Sequence, residues 1–181
     1  MFAGLTNLIK IMSIHFLHWN AEDEQALTDA QSFEEMATVA LRVIHKIRGH
    51  VHMVSGPIST GGVGTIPGNL FVFEKVIEIL SKEEGYNIFS QIPFQKKMDS
   101  LCQLWQKMNP EHIQCIPILE NFYKPIFTSG KVSVVHFIHG WESSFGSRWE
   151  HDFCKKNTEI KIDYLPKELS ARALIEHSQH R

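Results

Sequence analysis

The 181-residue sequence predicts an α/β fold, a three-layer sandwich in which helices cover both faces of a central, mostly parallel sheet of about five strands. Two observations predict it. Short β-branched runs alternate with longer segments of helical periodicity, which favours parallel strands joined by right-handed crossovers. The runs also end in loops that contain glycine or proline, as buried strands do. We therefore expect one α/β domain over residues 49–181, preceded by an N-terminal helical extension over residues 1–48.

The N-terminal extension contains one clear helix. Ser32 and Glu35 form a capping-box pattern, and apolar residues then recur with helical spacing as far as Gly49. Residues 1–30 are less well defined, and an arm, an extra helix and a partner-binding element all stay open for them. The first 20 residues contain Lys10 as their single Lys or Arg, and histidines interrupt their apolar stretch, so we expect a cytoplasmic protein.

The elements of the α/β domain follow in a regular order. Strands are expected in HVHMV, YNIFSQIPF, KVSVVHFIHG and TEIKIDYLP, and helices in NLFVFEKVIEILSKEEG, QKKMDSLCQLWQKMN, SFGSRWEHDFCKK and the tail KELSARALIEHSQHR. Pro110, Pro117 and Pro125 divide the chain before the third strand into two short helices or a helix and a loop. That strand lacks charge after Lys131, so we expect it to be central and buried on both faces. This order is typical of flavodoxin-like or Rossmann-like sheets, which bind ligands beyond the carboxyl ends of their strands.

Composition argues against several classes of function. Apolar residues make up 43%, charged residues 21%, and the formal net charge is −2, so we expect neither a nucleic acid polymer nor a membrane as partner. The three cysteines, Cys102, Cys115 and Cys154, form no CxxC pair, which favours reduced thiols over a disulfide framework. His50 and His52 have no neighbouring carboxylate to complete a ligand set, so we expect no metal and no cofactor.

The loop after the first strand, GPISTGGVGTIPG, is rich in glycine and hydroxyl groups. Ser59 and Thr60 precede Gly61, Gly62 and Gly64, and a helix follows. Glycines let backbone N–H groups approach a ligand, and a helix amino terminus favours an anion. We therefore expect this loop to bind a phosphate or a carboxylate. The loop has neither the Lys-Ser/Thr of a P-loop nor GxGxxG spacing. A flexible loop without a ligand is the alternative.

The loop after the third strand, within HGWESSFGSRWEHDF, places Glu150 four residues after Gly146, near the start of a helix. A carboxylate at a helix amino terminus stays ionised, and it can attack an anomeric carbon or stabilise an oxocarbenium ion. The alternative is a glutamate that only complements the helix macrodipole. His139 and His151 flank this loop, as proton donors to a leaving group or as exposed loop histidines. Because both loops follow strands at one edge of the sheet, we expect them to form one cleft.

In combination, the stretches VSGPISTGGVGTIPGNLFVFEKVIEIL, GYNIFSQIP, VVHFIHGWESSFGSRWEHDF and IKIDYLP resemble the nucleoside 2-deoxyribosyltransferase-like superfamily, which includes deoxynucleoside monophosphate N-glycosidases. The resemblance covers residues 50–166 and depends on the order and separation of short motifs. It implies cleavage or exchange of the N-glycosidic bond of a small-molecule nucleotide or nucleoside, without a cofactor. It also implies homodimers, since members of the superfamily commonly build their sites at dimer contacts.

The resemblance implies roles for individual residues. Glu150 matches the nucleophilic glutamate that forms a glycosyl-enzyme intermediate, and Gly146 matches the glycine that opens its helix. Ser144 stands where transferases have an aspartate and nucleotide hydrolases a serine, which implies a phosphorylated ligand. The first loop matches at positions that lie against the sugar and the phosphate in the family: Ser55, Gly56, Ser59 and Gly62. Trp141 or Trp149 would stack on the base.

The sequence departs from the family at one functional position. Members carry an aspartate on the helix before the central strand, and the nearest residues here, Glu120, Asn121 and Tyr123, are not in its register. Two other functions therefore stay open. One is a catalytically inactive nucleotide-binding or interaction module. The other is an NAD-type ribosyl hydrolase, because a glutamate that attacks the anomeric carbon of ribose serves equally there.

Overall fold

The computed structural model describes residues 14–178 of the chain. The α-helices are α1 (Ala21–Asp29), α2 (Phe33–Lys46), α3 (Ile66–Lys82), α4 (Gln95–Met108), α5 (Lys124–Thr128), α6 (Phe145–Asn157) and α7 (Lys167–Ser178). The strands are β1 (Val51–Ser55), β2 (Asn87–Ile88), β3 (Val132–Phe137) and β4 (Lys161–Tyr164). Short 3₁₀ turns cover Ile92–Phe94 and Trp141–Ser143, and a π-helical turn covers Ile118–Tyr123.

These elements form two compact units. One combines the described part of residues 1–48 with residues 89–131, and the other combines residues 49–88 with the described part of residues 132–181. The second unit begins at residue 49, but the expected α/β domain over residues 49–181 also contains residues 89–131, which belong to the first unit. Residues 89–131 belong with the N-terminal helices, because α2 packs against the π-helical turn and α5. Local sequence patterns do not show that long-range packing.

The sheet belongs to the second unit. Over the described residues it has four strands, all parallel, in the order β2-β1-β3-β4. The α/β class with a parallel, Rossmann-like sheet is thereby confirmed, with four strands in place of about five. β3 is interior, as predicted. The stretch YNIFSQIPF is strand only at Asn87–Ile88, and Pro93 lies in the 3₁₀ turn that follows, since proline cannot donate a ladder hydrogen bond.

The strand order creates a switch point between β1 and β3. One connection runs from β1 through α3 outward to β2, and the other runs from β3 through α6 outward to β4. Right-handed crossovers in opposite directions place α3 and α6 on opposite faces of the sheet, which gives this unit three layers. Sheets of this type bind ligands where the two directions diverge, at the carboxyl ends of β1 and β3.

Helix α3 follows the glycine loop and covers one face of the sheet. The Thr65 side chain caps it by accepting a hydrogen bond from the Gly68 N–H at 3.2 Å, and Pro67 occupies its first turn, where a proline is tolerated. Its buried residues recur at helical spacing: Val72, Phe73, Val76, Ile77 and Leu80. Helix α7 packs on α3, and Arg172 donates to the Glu83 carboxylate at 2.8 Å.

Helices α1 and α2 form the N-terminal part of the first unit. Asn20 and Asp23 cap α1 reciprocally, with each side chain accepting from the backbone N–H of the other at 2.9 and 3.1 Å. Asp23 is buried and forms salt bridges with Arg42 and Lys46 of α2, beside an open groove between the two helices. Residues 21–29 are therefore an extra helix, one of the three options for residues 1–30. Residues 1–13 lie outside the described part of the chain.

Candidate functional site

The strands β1 and β3 stay paired up to the point where the two loops begin. The carbonyl of Ser55, the last residue of β1, accepts a hydrogen bond from the Ile138 N–H at 2.9 Å. Gly56 then lies directly against Ile138, and a Cβ at Gly56 would come within 2.8 Å of Ile138 Cδ1. This close approach accounts for the glycine after Ser55 by packing alone, without a ligand.

The glycine loop is organised by a buried side chain, that of Asn69 in α3. Its amide group donates to the carbonyls of Ile58 at 3.0 Å and Gly61 at 3.1 Å, and its Oδ1 accepts from the Val63 N–H at 2.8 Å. Gly62 has a φ of +61°, and a Cβ there would lie 2.3 Å from Asn69 Oδ1. The sequence reasoning missed Asn69, because an asparagine near the start of a helix carries no distinctive spacing.

The two loops are in contact, as the sequence predicted, and Ser143 joins them. Its hydroxyl accepts from the Gly62 N–H at 3.0 Å and donates to the Gly140 carbonyl at 2.7 Å. The N–H of Gly62, expected to face a ligand, is therefore bonded within the protein, as is that of Val63. The hydroxyls of Ser59 and Thr60, which are both exposed, are groups with which this loop can approach an anion.

Glu150 lies in the second turn of α6, where its side chain is directed to the end of β1. The residue is 7% exposed, and its carboxyl lies beside the Ser55 hydroxyl. Ser55 is 1% exposed, and its hydroxyl forms no hydrogen bond of ordinary geometry with any part of the chain that the structure describes. A buried carboxyl and a buried hydroxyl thus lie side by side at the carboxyl end of β1.

The environment of Glu150 changes its acidity. Burial raises its pKa from an ordinary 4.5 to about 7, and the nearby Ser55 hydroxyl lowers it by a smaller amount. The sequence-based expectation that the helix amino terminus keeps this carboxylate ionised is therefore wrong. The helix dipole acts mainly on the first turn, whereas desolvation acts on any buried charge. At neutral pH both the carboxylate and the carboxylic acid are present.

Ser144 and Gly146 lie at the start of the helix that carries Glu150. The Ser144 hydroxyl is buried and accepts from the Ser147 N–H at 3.4 Å, so this serine caps α6. Gly146 lies in the first turn of the same helix. The contact that the structure gives Ser144, expected as a ligand-binding residue, is thus the helix cap. Its sequence position next to a strand-to-helix turn is equally typical of both roles.

An aromatic cluster lies beside Glu150 in sequence but is directed to β4. The ring of His151 stacks on that of Trp141, with centroids 4.3 Å apart, and its Nε2 lies 2.7 Å from the Tyr164 hydroxyl. His151 is buried, so it is not an exposed loop histidine, whereas His139 is exposed. Trp149 stacks on the phenylalanine four residues later in its own helix. Both tryptophans considered for base stacking therefore already have a ring against one face.

A cluster of titratable side chains lies across three neighbouring strands, β1, β3 and β4. His52 Nδ1 lies 2.9 Å from His136 Nε2, and His136 Nδ1 lies 2.7 Å from Asp163 Oδ2. The ring of Tyr86 stacks on His52 at 4.3 Å. The expectation that no carboxylate lies near His50 and His52 missed Asp163, which is distant in sequence and reaches the group because β1, β3 and β4 are neighbours. Between residues 14 and 178 no three His, Cys, Asp or Glu side chains are grouped so as to hold a metal ion.

The residues considered as counterparts of the second carboxylate of nucleoside 2-deoxyribosyltransferase-like proteins lie in the π-helical turn. Glu120 pairs with Lys124 at 2.8 Å, and Tyr123 is buried. Within the described part of the chain, no second carboxylate and no cation shifts the pKa of Glu150.

No helix within residues 14–178 is both long enough and apolar enough to cross a membrane. The chain matches no protein-family model, no curated protein and no solved structure. The resemblance to nucleoside 2-deoxyribosyltransferase-like proteins therefore depends on the motifs alone.

Proposed function

We propose that this chain binds a nucleotide or nucleoside at the carboxyl ends of β1 and β3 and cleaves or exchanges its N-glycosidic bond, with Glu150 as the nucleophile. One observation carries the proposal. A buried carboxyl, whose pKa burial raises to about 7, lies beside the buried Ser55 hydroxyl at the switch point of a parallel sheet. Ionisable groups with strongly raised pKa values at such positions are typical of active sites.

The proposed reaction has two displacements at one carbon. The Glu150 carboxylate attacks the anomeric carbon, a C–O bond forms as the C–N bond breaks, and the base leaves with the electron pair and takes up a proton. Water, or a second base in a transferase, then attacks the same carbon and releases Glu150, so the configuration is retained. Because burial destabilises the Glu150 carboxylate relative to a neutral ester, formation of the covalent bond removes a desolvation cost.

The glycine loop supports a phosphorylated substrate. Ser59 and Thr60 are exposed beside the amino terminus of α3, where hydroxyls and a helix dipole favour an anion. The expected ligand-binding residues Ser55 and Gly56 lie at the base of the same loop. A nucleoside monophosphate would then place its phosphate at this loop and its anomeric carbon near Glu150.

The test is base release. The full chain is incubated with a panel of ribo- and deoxyribonucleoside monophosphates, the matching nucleosides and NAD, and free base or nicotinamide is measured by chromatography. We expect Glu150→Gln to reduce release by at least about 10³-fold, as loss of a nucleophile does. Glu142→Gln is the matched control, because Glu142 is an exposed carboxylate in the same loop, and we expect it to be fully active. Base release that persists in Glu150→Gln would refute the assignment of Glu150.

A binding module without chemistry is the second candidate, and one observation favours it. Retaining glycosidases use two carboxyl groups, and in residues 14–178 no second charged group acts on Glu150. This function predicts a nucleotide-induced rise in melting temperature with no base release from any member of the panel. The same panel distinguishes an NAD-type hydrolase from a nucleotide N-glycosidase, because an NAD-type hydrolase would release nicotinamide and leave the nucleoside monophosphates intact.

A further inference from the structure

The segment that follows α4 folds back along that helix. The side-chain amide of Asn109 donates to the Trp105 carbonyl at 2.8 Å and closes the turn at the end of α4. Beyond the turn, the Gln106 amide donates to the Ile113 carbonyl at 2.9 Å, and the rings of Trp105 and His112 lie 5.3 Å apart. The helix and the return segment therefore run side by side in opposite directions.

This fold-back places two cysteines opposite each other. Cys102 lies three residues before Trp105, and Cys115 lies three residues after His112, the ring partner of Trp105. The Cys102 thiol lies next to the Cys115 sulfur. Both residues are half-buried and in the thiol state. Their separation in sequence did not indicate a pair, because only the return of the chain brings them together.

The two thiols differ in reactivity. The adjacent Cys102 thiol lowers the pKa of Cys115, burial opposes this effect, and the Ile118 N–H adds to it. The adjacent Cys115 sulfur raises the pKa of Cys102, and burial and the nearby Asp99 carboxylate act in the same direction. Cys115 is therefore the better nucleophile as a thiolate, and Cys102 is the thiol held next to it.

We propose that Cys102 and Cys115 form a redox-active dithiol, a modification site that hydroperoxides convert to an intramolecular disulfide. The third cysteine, Cys154, is fully buried, and burial raises its pKa to about 12, so it takes no part.

The oxidation proceeds in two steps. The Cys115 thiolate attacks one oxygen of the hydroperoxide, an S–O bond forms as the O–O bond breaks, and the departing alkoxide or hydroxide takes a proton. The Cys102 sulfur, on loss of its own proton, then attacks the Cys115 sulfur. An S–S bond forms, the S–O bond breaks, and water leaves. In total the two thiols lose two electrons and two protons, and the hydroperoxide is reduced to water and an alcohol or a second water.

The test uses the full chain. Hydrogen peroxide is added, and the protein is digested with trypsin without reduction. Lys107 lies between the two cysteines, so cleavage there puts them on separate peptides that only a disulfide holds together. We expect this joined pair, the loss of two of the three free thiols, and recovery of both with dithiothreitol. Retention of all thiols, or a disulfide that involves Cys154 or a second chain, would overturn the proposal.

Serine variants show which of the two cysteines reacts first with the peroxide. Cys154→Ser is the matched control and should form the disulfide as the wild type does. Cys102→Ser removes the resolving thiol, so Cys115 should accumulate as sulfenic acid and react with dimedone. Cys115→Ser should give at least about tenfold less adduct at Cys102 under the same peroxide. A stronger adduct at Cys102 would contradict the role of Cys115, and no adduct in either variant would contradict the reaction.

Discussion

At the scale of single residues, the burial of Glu150 has a cost in stability. Its pKa is raised to about 7 in the folded chain against an ordinary 4.5, so the folded state prefers the neutral carboxyl. The stability that this preference contributes is complete below the unfolded value and is lost as the pH rises through about 7. Its burial therefore lowers the stability of the folded chain at and above neutral pH.

The first prediction concerns stability. Glu150→Gln keeps the shape of the side chain without its charge, so we expect the variant to be more stable than the wild type by about 3 kcal/mol well above pH 7. The gain should disappear below about pH 4.5, where the glutamate is neutral in both the folded and the unfolded chain. Urea unfolding at the two pH values measures the difference, with Glu142→Gln as the exposed control that should show no such pH dependence. A gain of equal size at both pH values would exclude ionisation as its cause.

The second prediction concerns the rate. If Glu150 attacks as a carboxylate, kcat/KM for base release should rise with pH and level off above about 7, the pKa of this group. The measurement is a pH profile of kcat/KM on the best nucleotide of the panel. A decline over the same range would instead identify Glu150 as a proton donor, because the acid form would then be the active one.

At the scale of elements, the glycine loop is held in place by its own contacts. Gly62 and Gly64 both have positive φ, but a Cβ at Gly62 would collide with Asn69 Oδ1, whereas a Cβ at Gly64 meets nothing within 4 Å. An alanine at Gly64 would therefore introduce backbone strain alone, whereas an alanine at Gly62 would introduce backbone strain and a clash with Asn69. Comparing the two substitutions shows whether the loop conformation depends on Asn69.

The third prediction follows from that difference. Gly64→Ala should cost about 1 kcal/mol, the strain of a left-handed backbone, and Gly62→Ala about 3 kcal/mol, because the clash with Asn69 is added. Chemical denaturation of the two variants measures both costs, and Gly64→Ala serves as the matched control. Equal costs would show that the loop moves away from Asn69 without loss.

Several elements could be predicted from sequence because their signals are local. The uncharged β-branched run indicates β3, the apolar stripe indicates α3, and the stretch SFGSRWEHDFCKK indicates α6. The shortening of the YNIFSQIPF strand at Pro93 was not foreseen, although proline limits strand pairing. For the site, the sequence predicted that the loops after β1 and β3 meet, but neither Asn69 nor the Asp163 contact, since both depend on residues distant in the chain.

At the scale of the whole molecule, ligand binding and folding are linked. A nucleotide that binds the folded chain but not the unfolded chain raises the free energy of unfolding, by about 2.7 kcal/mol at a nucleotide concentration of 100 Kd. The fourth prediction is that Glu150→Gln shows this rise in melting temperature without base release, because the variant keeps the loops and loses the nucleophile. Thermal denaturation with and without nucleotide measures it, and adenine or phosphate alone serves as the ligand control. A variant with no shift, beside a wild type that shifts, would make Glu150 a binding residue.

The sequence by itself determined the alternation of strands and helices, the two loops after β1 and β3, and the position of Glu150 near the start of a helix. These features follow from hydrophobic periodicity and from glycine and proline, which act within a few residues. Only the tertiary structure decided that Glu150 is buried beside Ser55, that Asn69 holds the glycine loop, and that Cys102 meets Cys115. Burial, acidity and contact depend on side chains that are distant in sequence, and the fold alone brings them together.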